Sequence, residues 1–184
     1  MLVSTFHLGN IYIGVDILLV REINRSMEYT PIPGSPNYIR GMLNIRGRII
    51  TLFDLKRRFA WSQEEPVRQS GQDKELVVEP KKQYNVIMKT HHEVMRISRR
   101  LADTQCTWED PVGLVVDRLG DVRNVVDDHI LPPPANLKGI SAPFIRGVVR
   151  IEKELLVILN IAKIFGSDDH LATDVTTGGA SRVH

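Results

Sequence analysis

The sequence is poor in the residues on which most catalytic and metal sites depend. It has a single cysteine, Cys106, so no disulfide can form within the chain. Its six histidines are dispersed except for the adjacent pair His91 and His92. Neither a G-x-x-x-x-G-K-S/T loop nor a G-x-G-x-x-G loop for phosphate binding occurs. The composition therefore favours a binding module over an enzyme and calls for no cofactor.

Long apolar runs and an excess of charge of one sign are also missing. No apolar stretch approaches the roughly 20 residues of a membrane span, and residues 1–16 lack the features of a secretory signal. The net charge is +2, and the basic residues are scattered among acids apart from Lys56-Arg57-Arg58. Because duplex-binding proteins concentrate their basic residues, nucleic-acid binding by a small barrel is a minor alternative. We expect a cytoplasmic globular protein.

The chain contains an internal repeat. Residues 38–60 recur in outline at 144–166, with a constant offset of 106 and no gap. Eleven of the 23 positions are apolar in both copies. Five are identical, namely Ile39/Ile145, Arg40/Arg146, Gly41/Gly147, Ile45/Ile151 and Phe59/Phe165. A proline-rich segment precedes each copy. A repeat of this length predicts two similar half-folds with a seam or groove where they meet.

Short apolar runs rich in β-branched residues, separated by turn residues, predict an all-β sandwich or barrel. The predicted strands lie near 2–8, 11–24, 38–45, 48–55, 84–90, 112–118, 121–127, 144–151 and 154–161. Short helical turns are expected at 55–60 and 161–165, where the strand pattern ends.

Turn residues and glycines refine this picture. Arg46-Gly47-Arg48 and Glu152-Lys153-Glu154 fall at the hairpin tips of the two repeat copies. Gly47 can adopt the positive φ of a tight turn, whereas the second tip has no glycine and should differ in geometry. Gly41 and Gly147 fall inside strands at equivalent positions, which indicates a barrel corner.

We predict a single domain at residues 1–166. Three segments of the chain do not follow the repeat pattern. Residues 61–82 are charged and contain Pro and Gly, so we expect a mobile loop. Residues 91–109 form an insertion whose Val94, Ile97 and Leu101 share one face of a predicted amphipathic helix. Residues 167–184 have little to bury and should be disordered.

The insertion also carries a constellation that could suggest an enzyme. A metal or thiol centre built from His91, His92 and Cys106 is an unlikely alternative, because adjacent helical residues point about 100° apart and a lone thiol needs a positioned base. Four aspartates, Asp16, Asp54, Asp117 and Asp121, could be imagined as carboxylate pairs for acid–base catalysis. They lie at strand edges or turns, where Asp commonly caps backbone amides.

Arg46 is the most informative polar residue. It could be a solvated turn residue, or its guanidinium could meet a carboxylate of the protein or of a partner. Glu22 is the acidic counterpart that we expect in the first half of the chain.

Motifs in a fixed order point to a family. They are F-x-L-G (6–9), Y-x-x-V-D-I-L-x-V-x-E-I (12–23), P-x-Y-I-x-G (36–41), N-x-R-G-x-I-I (44–50), D-L-x-x-x-F (54–59), G-L-V-V-D (113–117) and F-I-x-G-V (144–148). Together they resemble the CheW coupling proteins of bacterial chemosensory arrays, over about residues 5–60 and 112–166.

The resemblance implies two intertwined five-stranded β-barrels and a non-catalytic adaptor. Such an adaptor binds the cytoplasmic tip of a chemoreceptor and the regulatory domain of the histidine kinase CheA, and other CheW-like proteins are further expected partners. The positions that match the receptor-binding residues are Val20, Glu22, Gly41 and Arg46. The kinase is expected around residues 121–137 and the second repeat copy, 144–166.

The insertion departs from this family pattern. It could cover a barrel end, add a partner surface or obstruct an array contact, and exposed Trp61 and Trp108 would favour an added interface. A CheW-like adaptor of a non-flagellar pathway, serving pili or another output, is therefore the alternative. In dilute solution we expect a monomer.

Overall fold

The computed structural model describes residues 1–59, 83–106, 108–134, 137 and 139–166. The predicted loop at 61–82, Trp61 and the tail at 167–184 lie outside them. In the described residues the strands are β1 Leu2–Leu8, β2 Ile11–Asp16, β3 Val20–Arg25, β4 Ile39–Ile45, β5 Arg48–Asp54, β6 Tyr84–Met88, β7 Val112–Val116, β8 Arg118–Asn124, β9 Ile145–Ile151 and β10 Glu154–Leu159. The α-helices are α1 Leu55–Arg58, α2 His91–Met95, α3 Arg99–Gln105 and α4 Ile161–Phe165, and the 3-10 turns are Ile17–Leu19, Asp127–His129 and Ala142–Phe144.

The strands form two five-stranded sheets, which confirms the predicted mainly β fold with two five-stranded halves. Sheet A has the order β8-β1-β2-β10-β9, and sheet B has the order β3-β6-β7-β5-β4. Each sheet contains one repeat copy as an antiparallel hairpin, and the second strand of that hairpin pairs in parallel with β2 or β7. The sheets are open rather than closed barrels, because β3 and β4 are the edges of one and β8 and β9 the edges of the other.

The repeat extends to the pairing register. Leu52 of the first copy pairs with Gly113, and Ile158, which is 106 residues later, pairs with Gly14. Equivalent hairpins therefore dock against equivalent glycine-containing strands. In both sheets a glycine gives the parallel neighbour room, since a side chain at either position would press on packed apolar groups.

Between the strands of the described residues, two crossovers intertwine the sheets. The single strand predicted at 11–24 is wrong, because the 3-10 turn at Ile17–Leu19 divides it into β2 of sheet A and β3 of sheet B. The Asp16 carboxylate accepts a hydrogen bond from the Leu18 amide at 2.9 Å and starts this turn. The chain returns to sheet A at Asp117, between β7 and β8.

Gly41 and Gly147 mark a close chain approach rather than a simple corner. Thr30 forms a two-way backbone bridge with Met42, and Leu131 forms the equivalent bridge with Val148. In this way each proline-rich segment passes directly beside the glycine-containing strand. A Cβ at position 147 would lie 2.8 Å from the Leu131 carbonyl oxygen, and one at position 41 would collide with the Thr30 carbonyl. Only glycine leaves room for these crossings.

The two hairpins have the predicted turns with the predicted difference. Ile45 pairs with Arg48 and Ile151 pairs with Glu154, so both loops have two residues. Arg46 and Glu152 have φ values of 52° and 54°. Gly47 follows with φ 83°, whereas the described residue Lys153 is not in the positive-φ region.

Three apolar clusters hold the sheets together. One lies within sheet A, one lies within sheet B, and the largest contains residues of both sheets and of the insertion. All five residues of β7 are buried because this strand packs on two sides. The shared core thereby fixes how the two sheets face each other.

The insertion holds two short helices instead of one amphipathic helix. Val94 is fully buried, but Ile97 lies between the helices and is 49% exposed, so the two do not share a buried face. Ser98 starts α3 by accepting a hydrogen bond from the Leu101 amide. Trp108 is buried, packs edge-on against Phe165 and donates to the Lys89 carbonyl at 2.8 Å, so it adds no exposed aromatic surface. The insertion is thus built into the core.

Candidate functional site

The tip of the β4–β5 hairpin meets β3 across the opening of sheet B. The Arg46 Nη1 atom lies 3.7 Å from the Glu22 Oε2 atom, and the two side chains are 84% and 26% exposed. This ion pair joins the two edges of the sheet, and it confirms Glu22 as the acidic counterpart of Arg46. The tight turn forces the Arg46 backbone to positive φ and directs the residue away from the core.

Val20 begins β3, and Lys89 fixes it there. The Lys89 ammonium donates to the carbonyls of Leu18 at 2.9 Å and Val20 at 2.5 Å. Burial lowers the pKa of Lys89, the nearby Arg21 charge lowers it too, and the Glu93 charge opposes this shift. Lys89 therefore holds the crossover turn onto the strand that carries Glu22. Sequence reasoning missed this residue because nothing local marks it.

Gly41 lies apart from the other three predicted residues. It is buried and pairs with Leu52, whereas Arg46 lies at the opposite end of β4. Its neighbours are Tyr29 and Thr30 of the proline-rich segment. The structure gathers Val20, Glu22 and Arg46 at one end of sheet B. Gly41 lies farther along β4, where this strand passes the proline-rich segment at Tyr29 and Thr30.

Glu93 of the insertion reaches the same end of sheet B. Its carboxylate pairs with Arg21 and, at 3.2 Å, with Arg48. It also accepts the Thr90 amide at 3.0 Å in a capping box at the start of α2. Burial raises the pKa of Glu93, but the Thr90 hydrogen bond, the Arg48 hydrogen bond and both guanidinium charges outweigh it and leave the pKa lowered. The T-x-x-E spacing marks a helix start in the sequence, but not these ion pairs.

The region predicted for the kinase carries exposed apolar side chains on sheet A. Val122, Val126, Leu131 and Leu155 are each between 42% and 58% exposed. A cavity of about 400 Å³ lies between β8 and β9, lined by residues 122–126, His129 and residues 149–151. Val122 lies in the edge strand β8 and Leu131 lies beside the edge strand β9. Grouped exposed apolar side chains are typical of surfaces that bind another protein.

The chemistry of the insertion does not support the thiol alternative. Cys106 is buried, and burial raises its pKa to about 12, so the nucleophilic thiolate is scarce at neutral pH. The Nδ1 atom of His91 lies 3.7 Å from the Glu109 carboxylate. Within the described ranges, no three His, Cys, Asp or Glu side chains gather where they could hold a metal ion.

The basic run at 56–58 is engaged within the protein. Lys56 lies 2.7 Å from the Asp117 carboxylate and Arg57 lies 3.7 Å from that of Asp54. Arg58 is buried and donates to the Ile164 carbonyl at 3.0 Å. Of these three side chains, Arg57 alone is more than half exposed, so the run does not form the basic patch that would bind a phosphate backbone.

The predicted capping role of the aspartates is confirmed at three positions. Asp16 accepts the Leu18 amide, Asp54 accepts the amides of Lys56 and Arg57, and Asp117 accepts the Gly9 amide. Asp121 instead pairs with the Arg123 side chain at 3.3 Å. No helix in the described part of the chain has the length and apolar character to cross a membrane.

Two interlocked β-sheets with charged and apolar side chains gathered at their open edges define a small β domain with surfaces suited to protein binding. The chain matches the CheW-like domain family over residues 3–169, and it therefore belongs to the CheW family.

Relatives and a solved structure agree with this assignment. The chain is 29% identical to the chemotaxis protein CheW of Treponema pallidum, over 90% of this chain and 82% of that protein. It is 26% identical to the protein PilI of Pseudomonas aeruginosa, over 83% of this chain and 68% of that protein. The crystal structure of the scaffolding protein TtCheW from Thermoanaerobacter tengcongensis shares the fold, with a TM-score of 0.64, 24% identity and coverage of 91% and 88% of the two chains.

Proposed function

We propose that this protein is a non-catalytic adaptor that couples chemoreceptors to the histidine kinase CheA. It acts in the cytoplasm without a cofactor, and it associates with membrane-bound receptor arrays through its partners. Membership of the CheW family and the chemotaxis relative support this role. The observation that carries it is the Glu22–Arg46 ion pair at the open end of sheet B.

The receptor-binding face consists of Val20, Glu22 and Arg46. A receptor tip is helical, and a helix that lies in a groove needs apolar contact and a few polar groups that set its register. Half-buried Val20 provides the apolar contact, and the ion pair offers a fork of donors beside a carboxylate. Because Gly41 is buried, its part in receptor binding is to keep β4 and the segment at Thr30 in place.

The kinase-binding face lies on sheet A, in regions 121–137 and 144–166. Its exposed apolar residues, Val122, Val126, Leu131 and Leu155, supply the apolar centre that a protein interface needs. The receptor-binding face belongs to sheet B, so an adaptor built in this way can hold both partners at once. Reversible array contacts need only modest interfaces with a small set of dominant residues.

Reconstitution tests the proposal. A chemoreceptor signalling fragment and CheA from the same organism are co-sedimented with and without this protein, and kinase autophosphorylation is measured. We expect joint sedimentation and a receptor-dependent change in autophosphorylation. A protein that sediments with neither partner would overturn the proposal.

The relative PilI supports a second candidate, an adaptor of a non-flagellar chemosensory pathway. The same assay distinguishes the two when it is run with each receptor and kinase pair that the organism encodes. Coupling confined to a pair that does not control flagella would favour this second candidate.

A further inference from the structure

Glu93 lies in the insertion, yet it contacts both the edge strand β3 and the β4–β5 hairpin of sheet B. Arg21 belongs to β3 and Arg48 begins β5 beside the hairpin tip, and the Glu93 Oε1 atom is the shared partner of both guanidinium groups. The insertion therefore links β3 to the β4–β5 hairpin, which the Glu22–Arg46 pair also joins directly.

The Glu93 carboxylate is held in place by hydrogen bonds from Thr90, at the start of α2. Its second oxygen accepts hydrogen bonds from the amide and the hydroxyl of Thr90, at 3.0 and 3.4 Å. Fully buried Val94 follows it and anchors α2 in the core. A carboxylate fixed in this way can orient two arginines, whereas a flexible surface acid could not.

The arginines it holds are direct neighbours of the receptor-binding residues. Arg21 precedes Glu22 in β3, and Arg48 is separated from Arg46 by Gly47 alone. The charges of Arg21, Arg46, Arg48, Glu22 and Glu93 sum to +1, and Lys89 adds a further positive charge at this end. Without Glu93, the guanidinium groups of Arg21 and Arg48 would lose this partner, and the Glu22–Arg46 pair would remain as the link between β3 and the hairpin tip.

We propose that Glu93 is a positioning residue of the receptor-binding face: it fixes the Arg46 hairpin against β3 and thereby sets the affinity for the chemoreceptor tip. The inference rests on the proposed function. It assigns the insertion a direct part in that site, through Arg21 and Arg48, and no contact of Glu93 itself with the receptor is required.

Glu93→Gln tests the proposal with the smallest change. Glutamine preserves the size and the capping box of α2 but removes the charge that pairs with the arginines. Asp103→Asn is the matched control, because it removes a carboxylate from the same insertion whose partner is Arg99 rather than sheet B. Thermal unfolding of both variants checks that they are folded.

The first readout uses the free protein. Amide hydrogen exchange should become faster at residues 45–48 and 20–23 in Glu93→Gln and stay unchanged in Asp103→Asn. Unchanged exchange at both segments in a folded Glu93→Gln variant would overturn the proposal, whatever the receptor does.

The second readout is the affinity for a chemoreceptor signalling fragment. We expect Glu93→Gln to raise Kd about fivefold, as for loss of a partly exposed charge pair that orients an interface. Arg48→Gln should raise it too, and the double variant should show less than the product of the two effects, because both remove one link. Independent effects, or tighter binding by Glu93→Gln, would overturn the positioning role.

The two proposals fail in different ways. If the wild-type protein does not bind the fragment, the proposed receptor coupling is wrong, and the exchange measurement alone decides whether Glu93 positions the hairpin. If the wild type binds and Glu93→Gln binds equally well, the receptor function stands and this inference is wrong.

Discussion

Arg46 combines a backbone conformation that side chains rarely adopt with a side chain that is 84% exposed. An exposed arginine contributes little to stability through one ion pair with Glu22. The exposed guanidinium group of Arg46, and not its effect on stability, is therefore the feature on which the proposed site at this end of sheet B depends.

We predict that Arg46→Glu abolishes binding of the chemoreceptor fragment and leaves the fold intact. The variant places a second carboxylate beside Glu22 and removes the fork of donors. Pull-down with the fragment measures binding, and circular dichroism checks the fold. Arg99→Glu is the control: the Arg99 side chain is also 84% exposed, and this substitution makes the same change of charge in α3, away from sheet B. Undiminished binding by a folded Arg46→Glu variant would remove Arg46 from the site.

A second residue-scale prediction concerns Gly147. Its φ is not positive, so the cost of a side chain there arises from the collision with Ile130 and the Leu131 carbonyl alone. Gly147→Ala should lower the free energy of unfolding by about 3 kcal/mol, as overpacking against backbone does.

Gly47→Ala provides the contrast, because φ is 83° but nothing lies near its Cβ. It should cost about 1 kcal/mol, from the left-handed backbone only. Urea unfolding measures both variants. Equal losses would mean that the crossing chain at 130–131 yields easily and that the repeated glycine has another cause.

At the scale of elements, the insertion shows how a short apolar pattern acquires two different roles. Val94 and Ile97 have the spacing of one helix face, but a break between α2 and α3 sends Val94 into the shared core and Ile97 to the surface. Because α2 has only five residues, tertiary packing rather than helix propensity holds it in place.

We predict that Val94→Ala lowers the free energy of unfolding by about 2 kcal/mol, because it leaves a cavity in the core. Ile97→Ala should change it by less than about 0.5 kcal/mol, as expected for a half-exposed side chain. Chemical unfolding of the two variants gives the comparison. Similar losses would mean that the insertion packs as one continuous amphipathic helix.

At the scale of the whole molecule, the crossover at Asp117 links two sheets that share no strand pairing among the residues that the structure describes. The Asp117 Oδ2 atom accepts the Gly9 amide of the β1–β2 turn at 2.6 Å and lies 2.7 Å from the Lys56 ammonium of α1. Burial raises the pKa of Asp117, but the Lys56 and Gly9 contacts outweigh it and leave the pKa below its usual value. The carboxylate is thus stabilised in its charged form only when both sheets are in place.

This lowered pKa predicts an acid dependence of stability. Since the folded pKa lies below the unfolded pKa, the contribution is complete above the unfolded value and is lost as pH falls through the folded one. Asp117→Asn should cost about 1–2 kcal/mol at pH 7 and should flatten the loss of stability below about pH 4. Urea unfolding at several pH values measures both effects.

The control for this prediction is Asp128→Asn, at an exposed position of the Asp127–His129 turn. It should keep the wild-type stability and acid dependence. If Asp117→Asn unfolds with the same pH profile as the wild type, the two sheets are held together by the shared core and not by this crossover contact.

The sequence by itself determined the repeat, most strand positions and the two hairpin tips. These features depend on residues a few positions apart: alternating β-branched side chains form strands, and Gly47 permits the tight turn. The repeated glycines Gly41 and Gly147 also indicated a special backbone position. The segments that pass beside them, at Thr30 and Leu131, were visible only in the fold. For Arg46 the sequence allowed either a solvated turn residue or a partner of a carboxylate, and it named Glu22 as the acidic counterpart.

Only the tertiary structure decided the crossovers and the composition of the site. Val15 and Leu19, on either side of Asp16, are both fully buried, so the apolar pattern continues through the 3-10 turn and does not reveal the change of sheet. Glu93 lies 72 residues from Arg21 and 45 from Arg48 along the chain. Lys89 lies 71 residues from Leu18, in the turn that it holds. Contacts of this range depend on how the insertion packs against β3 and the β4–β5 hairpin. That packing cannot be deduced from the spacing of residues along the chain.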